Sequence, residues 1–448
     1  MQSYAARRAK LIELMNARGG GVAIIPTAPE VMRNRDADYP YRHDSYFYYL
    51  SGFTEPEATL VIVAGAAPQT ILFCRAKNEE REIWDGYRYG PEAAREAFGF
   101  DQAFASDTIH TELPKLLANQ PALYYALGDQ TQLDSQVRQW LGAVRAQNRA
   151  GVTAPAAAYD VHALLDEMRL FKDAHEVDIM RRAAGISAQA HIRAMQASHV
   201  GLREYHLEAE LLYEFRKQGA QAPAYGSIVA TGANACVLHY RAGNTEMKDG
   251  DLCLIDAACE LDGYASDITR TFPVNGKFSA PQQALYELVL AAQAAALDKA
   301  RIGYHWNEPH EAAVKILAQG MLDTGLLDKD KVGTLDDVIE KDSYRQFYMH
   351  RTGHWIGMDV HDVGEYRDVH ATTTDKPWRP LQAGMALTVE PGIYVRPAEG
   401  VPEKYWHIGI RIEDDVVITH GECDILTSGV PKTVADIEIL MRKSQTQQ

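Results

Sequence analysis

Five side chains constrain this chain more than anything else in it: Asp256, Asp267, His354, Glu390 and Glu413. The two aspartates lie in LIDAACELDGYASDITRTF, the histidine in MHRTGHWIGMDVHDVG, and the glutamates in LTVEPGIY and GIRIEDDVVI. Each interrupts or ends an apolar stretch, where an unpaired charge is costly. Four carboxylates and one imidazole make a hard, oxygen-rich donor set. A pair of divalent cations neutralises the four negative charges and removes most of that cost. The pattern implies a chain that folds around two metal ions and uses them for hydrolysis.

The bulk properties set limits on partners. With 448 residues, 46% hydrophobic and 24% charged, the chain is long enough for two or three domains with a sizeable core. A formal net charge of −16 argues against a nucleic-acid backbone or an anionic membrane as main partner. No opening apolar run resembles a signal peptide and no stretch is long enough to span a bilayer, so a cytoplasmic protein is expected. Five cysteines form no disulfide or CxxC pattern, and Cys253 and Cys259 read as core thiols.

The overall expectation is an α+β chain. MQSYAARRAKLIELMNARGG predicts a helix ending at Gly19 and Gly20, and VAIIPTA a buried strand. ATLVIVA and TILFCRA are further short apolar runs, with helical segments around Glu92–Phe98 and Leu113–Ala118. This alternation predicts a smaller N-terminal α/β domain over residues 1–170, followed by a catalytic domain over 171–448. No glycine-rich phosphate loop follows the first strand, which speaks against a dinucleotide site. Helices are expected from about Asp173 to Ala197 and from Glu204 to Gln218, then at Pro281–Lys299 and Glu308–Gln319 among short strands and hairpins. The polar tail over 443–448 is expected to fray.

Local geometry brings some of the five residues together. Asp262-Gly263 is a strong two-residue hairpin signal. With Leu261 paired to Tyr264, the register puts Asp256 opposite Thr269 and Ala258 opposite Asp267. The two aspartates then share a face one diagonal step apart. The alternative is a pair of solvated aspartates flanking a turn. Glu413 reads as part of a strand IGIRIEDDVVI, with Gly409 and Arg411 on its face and Asp414 on the other. In that strand Arg411 is placed to hold a ligating carboxylate. Glu390 ends MALTVE just before Pro391-Gly392. His239, His350, His354 and His361 supply the basic side, and Gly353 and Gly357 make a helix over 350–357 doubtful. Histidines beyond those needed for metal suggest proton handling and oxyanion stabilisation.

The segments LHYRAGN, LIDAACELDGYASDITRTFPVNGKFS, FYMHRTGHWIGMDVHDVG, LTVEPGIYV and GIRIEDDVVIT make the chain resemble the aminopeptidase P branch of the metallopeptidase family that also contains prolidase, methionine aminopeptidase and creatinase. DADYPYRHDSYFYYLSGFTEPEA resembles the N-terminal pattern of the same branch. The likeness covers nearly the whole chain. It implies a C-terminal "pita-bread" domain and cleavage of an N-terminal Xaa-Pro bond by a hydroxide bridging two metals, with Mn²⁺ as the expected ion. It further implies that Asp256, Asp267, His354, Glu390 and Glu413 bind metal, with Asp267 and Glu413 bridging, and that Glu390 also takes a proton. His239 and His361 are implied to meet substrate and stabilise the intermediate, and His350 to line the proline pocket. Arg411 is implied to support the metals and Asp36 to join its network. Trp84 is implied to reach the site of a neighbouring subunit in a dimer or homotetramer. Two other readings are an Xaa-Pro dipeptidase (prolidase) and an inactive scaffold protein.

Overall fold

The computed structural model describes residues 2–445. By its internal contacts the chain divides into two units, Met1–Met168 and Arg169–Gln448.

In the N-terminal unit the runs of Val, Ile and Leu become a six-stranded mixed sheet. Its order is Gln102–Ala105, Gln69–Cys74, Thr59–Ala64, Gly21–Pro26, Ala122–Tyr125, Ala157–Asp160. The three strands at its centre are antiparallel, and the strands outside them join in parallel. Val22, Ile24, Val61, Ile71, Phe73 and Leu123 are buried against the helices Ile109–Leu117 and Thr131–Arg145 through Leu113, Leu117, Leu133, Val137 and Trp140. Ala23, Ile25, Leu60, Ile62 and Leu72 alternate with them and are buried as well. A sheet covered on both sides explains runs too continuous to show alternation. The strands at 102–105, 122–125 and 157–160 and the helix at 131–145 were not anticipated from sequence; each strand has only four residues.

The C-terminal unit joins long helices to two strand systems. Asp173 caps the helix Ala174–Ala197, accepting from the backbone of His175 and Glu176 while Glu176 reaches back to the Asp173 amide. Its inner face buries Met180, Ala184, Ala188, His191 and Met195, and Ala188 and Met195 share one core with Leu207, Leu211 and Phe215 of the helix Glu204–Lys217. Helices Ala280–Lys299 and Glu308–Asp323 pack on each other. The last helix runs Val434–Gln445, so the expected fraying does not begin at 443, and 446–448 lie outside the described residues.

The hairpin register follows the sequence expectation. Leu261 pairs with Tyr264 across Asp262 and Gly263, both at positive φ (49° and 79°), and Asp256 pairs with Thr269. The ladder is interrupted between these pairs. Cys259–Leu261 with Tyr264–Ala265 belongs to one sheet, and Leu252–Asp256 with Thr269–Pro273 to another. The expected single strand through Glu413 is likewise two. Ile408–Arg411 pairs with Gly392–Val395, whereas Asp414–Val417 pairs with Ala386–Val389. The chain changes sheets at 412–413 and again at 390–391. A buried carboxylate facing other carboxylates favours such a break, where its side chain leaves the pleat's alternation.

Candidate active site

All four acidic residues of the sequence pattern sit at those interruptions: Asp256 at a strand end, and Asp267, Glu390 and Glu413 between strands. Two hairpins, each bent out of one sheet into another, thus present their breaks to one cavity. The cavity has a volume of about 930 Å³ and is lined by Asp256, Asp267, Glu390, Glu413, His239, His350, His354 and His361. Ile228, Leu238, Trp306, Val360, Tyr366 and Trp378 give it an apolar wall.

His354 is placed by backbone contact. Gly353 lies so close to the strand Ala386–Val389 that a Cβ there would stand 2.1 Å from the Thr388 carbonyl oxygen. The Thr388 amide donates to the His354 carbonyl (2.9 Å), and the Glu390 amide to that of Thr352 (2.8 Å). No helix forms over 350–354, in line with the glycines. His354 Nδ1 is 2.9 Å from the Trp355 carbonyl oxygen, which turns Nε2 toward Asp267 (3.5 Å) and Glu390 (3.8 Å).

The carboxylates are tied in from behind. Arg411 donates to Asp256 Oδ2 (2.6 Å), to Thr269 Oγ1 (3.1 Å) and to the Tyr394 hydroxyl (2.8 Å). Thr269 donates to Glu413 Oε2 at 2.6 Å. The Tyr225 hydroxyl lies 2.6 Å from Asp256 Oδ1 and 2.5 Å from Asp267 Oδ1, and the Asp267 amide donates to Asp415 Oδ2 at 2.8 Å. His350 Nε2 meets the Tyr394 hydroxyl at 2.8 Å. Asp414 turns away from the cavity into an ion pair with Arg270 (2.7 Å) and Lys432 (2.7 Å). Tyr225, Thr269 and Thr388 were not singled out from sequence. No local spacing marks them, because their partners lie 31 to 144 residues away along the chain, apart from Thr388 with Glu390 at two residues.

Electrostatics show what is missing from the protein groups alone. Burial, then the charge of Asp256, raises the Asp267 carboxyl's affinity for a proton. Burial raises that of Glu390, although His354 and Arg411 oppose it. Burial and the charges of Asp267 and Glu390 push Glu413 well up. Burial works against a charge on His354, but the hydrogen bond with Asp267 and the charges of Glu390 and Asp267 outweigh it and raise the group to about 9. Burial and the neighbouring charge of His354 bring His361 down to about 4; burial and Arg411 bring His350 to about 3.

Four carboxylates thus face one another with Arg411 and His354 as their principal countercharges. Ligand atoms of Asp267, His354 and Glu413 lie within 4.8 Å of one another. Oxygen donors in excess, one imidazole whose second nitrogen is already bonded, and uncompensated negative charge fit divalent cations.

Asp36 and Trp84 belong to the N-terminal unit. Asp36 is exposed in the turn between the short strands Met32–Asn34 and Ala37–Asp38, at φ 65°. Trp84 is 79% exposed on the short helix Glu79–Asp85, beside Ile83 at 82%. Among the described residues no helix is long and apolar enough to cross a membrane.

Comparison with known proteins gives the same outline. Residues 178–420 match metallopeptidase family M24, and residues 4–124 match the aminopeptidase P N-terminal domain. The chain is 43% identical over 448 residues to the Xaa-Pro aminopeptidase of Escherichia coli (strain K12), covering 100% of this chain and 99% of that one. It superposes on Pseudomonas aeruginosa aminopeptidase PepP with a TM-score of 0.95 at 51% identity, over 99% of this chain and 98% of the other. A zinc-substituted E. coli aminopeptidase P in complex with product gives a TM-score of 0.93 at 43% identity, over 99% and 98%.

Proposed function

The chain belongs to metallopeptidase family M24, with an aminopeptidase P N-terminal α/β domain ahead of a pita-bread catalytic domain, and on that premise we propose that it hydrolyses the bond between an N-terminal residue and a following proline. The observation that carries this reading is the convergence of Asp256, Asp267, His354, Glu390 and Glu413 on one cavity. Two relatives, matched over 100% and 92% of this chain, are named for that cleavage.

In this reading the five residues would hold two divalent cations, Asp267 and Glu413 would serve both, and Mn²⁺ is the ion that the oxygen-rich set suits. Such a pair would supply Lewis-acid polarisation of the carbonyl and a nucleophile of hydroxide character at neutral pH. The protein groups do the rest. Glu390, which stands on the cavity beside His354, is assigned the proton released on attack. His361 stays neutral at pH 7, so one ring nitrogen keeps an N–H to donate to the carbonyl oxygen as charge develops on it. His239 stands on the same cavity and shares that task. The free α-amino group of the substrate would be held at the Asp256 side of the metal site. An Xaa-Pro bond has no amide hydrogen, and an apolar wall beside His350 suits the proline ring without asking for a donor. Arg411 fixes Asp256.

The physiological assembly in this reading is a homo-oligomer, dimer or tetramer, in which Trp84 completes a neighbour's cleft. Its exposure beside Ile83 supports this, since an apolar pair left bare is a common interface anchor.

Comparing Ala-Pro with longer Xaa-Pro peptides under added Mn²⁺ tests the function. Turnover of the longer peptides is expected; cleavage of dipeptides only would make the enzyme a prolidase. Two retained metals with no peptide turnover would favour the scaffold reading.

A further inference from the structure

Charge is distributed unevenly around the cavity. Every carboxylate on its wall, Asp256, Asp267, Glu390 and Glu413, belongs to the metal-type cluster. Of the arginines on the wall, Arg411 is buried and bound to Asp256, whereas Arg241 and Arg351 are exposed. Arg351 is also held in place. Its guanidinium carbon lies 5.1 Å from the centroid of Trp378, itself a wall residue, and its Nη2 donates to Asn307 Oδ1. Asn307 in turn donates through Nδ2 to Glu311, so that carboxylate reaches Arg351 only through an amide. Arg367 lies against the same indole, its guanidinium carbon 3.3 Å from the centroid, and donates to the Lys376 carbonyl at 3.0 Å. Among the described residues, neither Arg351 nor Arg367 forms an ion pair with a carboxylate. In a chain with a formal charge of −16, two arginines gathered on one ring without an acidic partner form a cationic spot at the cavity wall.

We propose that Arg351, steadied on Trp378 with Arg367 beside it, binds a carboxylate of the substrate one or two residues beyond the proline and sets a preference for peptides that carry one there. The inference rests on the aminopeptidase reading above. A peptide entering this cavity has a cationic end and an anionic end. The metal-type cluster is where the amino end is held, and the guanidinium takes the anionic end. Arg351 and the carboxylate cluster line the same cavity, so one extended peptide in it can meet both. A planar guanidinium stacked on an indole is pre-oriented to bind a carboxylate through two hydrogen bonds. The carboxylate has two sources, the C-terminus of a tripeptide or the side chain of Asp or Glu following the proline.

The test compares metal-loaded wild type with Arg351→Ala, Arg351→Lys and Arg241→Ala on Ala-Pro-Ala, Ala-Pro-Ala-amide and Ala-Pro-Asp-amide. Wild type is expected to favour the free acid over the amide by about tenfold in kcat/KM, mostly through KM, and less so at high salt. The Asp-amide arm reads the side-chain source separately. Arg351→Ala should bring the acid-to-amide ratio close to one, Arg351→Lys should keep part of it, and Arg241→Ala should keep most of it. An unchanged ratio in Arg351→Ala, an equal loss on acid and amide, or loss of the ratio in Arg241→Ala alone would each overturn the assignment. A wild-type ratio near one with good turnover overturns this inference only, whereas no turnover of any Xaa-Pro peptide overturns the function on which it rests.

Discussion

At the scale of single residues, the bridging assignments make the sharpest demand. If Asp267 and Glu413 are each shared between two cations, removing one negative charge disturbs both sites at once. Asp267→Asn and Glu413→Gln should each lower turnover by more than about a hundredfold while the apo protein melts close to wild type. Metal analysis and kinetics on purified variants check this, and near-normal turnover with two tightly held metals would contradict it. His361 is different. It stacks on His354 at 4.0 Å between ring centroids, yet its proposed work is on the substrate carbonyl. His361→Ala should therefore keep its metals and lose turnover, by about 10²–10³-fold for one lost oxyanion donor. Metal loss as large as in His354→Ala would reassign the residue.

At the scale of elements, the segment that carries Val360 and His361 is anchored by buried charges. Asp362 accepts from Arg169 at 2.6 Å and from Lys172 at 2.8 Å, with all three side chains almost fully buried. Gly357 admits the Asp362 carboxylate, since a Cβ at that position would stand 2.2 Å from Oδ2. Burial favours the protonated form of Asp362, but Lys172 and Arg169 outweigh it and hold the carboxyl below its ordinary value. A depressed carboxylate adds stability above the unfolded-state value of about 3.9, and that stability is lost as pH falls through the folded-state value below it. Asp362→Asn removes the carboxylate that pairs with buried Lys172 and one of the two that pair with Arg169, which keeps Asp359 at 2.7 Å, and should cost about 3–5 kcal/mol at pH 7. The melting-temperature gap between variant and wild type should narrow as pH drops below about 4. A gap that stays constant to the lowest pH at which both proteins fold would refute the ion-pair account.

At the scale of the whole molecule, the prediction concerns assembly. Trp84 and Ile83 stand open on a helix whose residues are nowhere buried. If Trp84 completes a neighbour's cleft, Trp84→Ala should impair cleavage of longer peptides several-fold while leaving metal content near wild type. Light scattering at assay concentration supplies the companion measurement, and a fully active monomer would rule out a required neighbour.

The sequence by itself picked out the five residues that line one cavity, because a charged residue that ends an apolar run is conspicuous wherever it occurs. It also determined the first hairpin's register, since Asp262-Gly263 permits one pairing, and that pairing places Asp256 opposite Thr269. The helices at 174–197 and 204–217 were legible from one-sided apolar spacing. Only the tertiary structure decided the sheet changes at Glu390 and Glu413, which read locally as a strand end and an unbroken strand. The same holds for the supporting partners. Thr269 stands between Arg411 and Glu413, and Tyr225 between two aspartates, through contacts spanning 31 to 144 residues. A threonine or tyrosine has no sequence signature for such a place. Its role comes from the partner that packing brings to it, and packing is settled by the whole core at once.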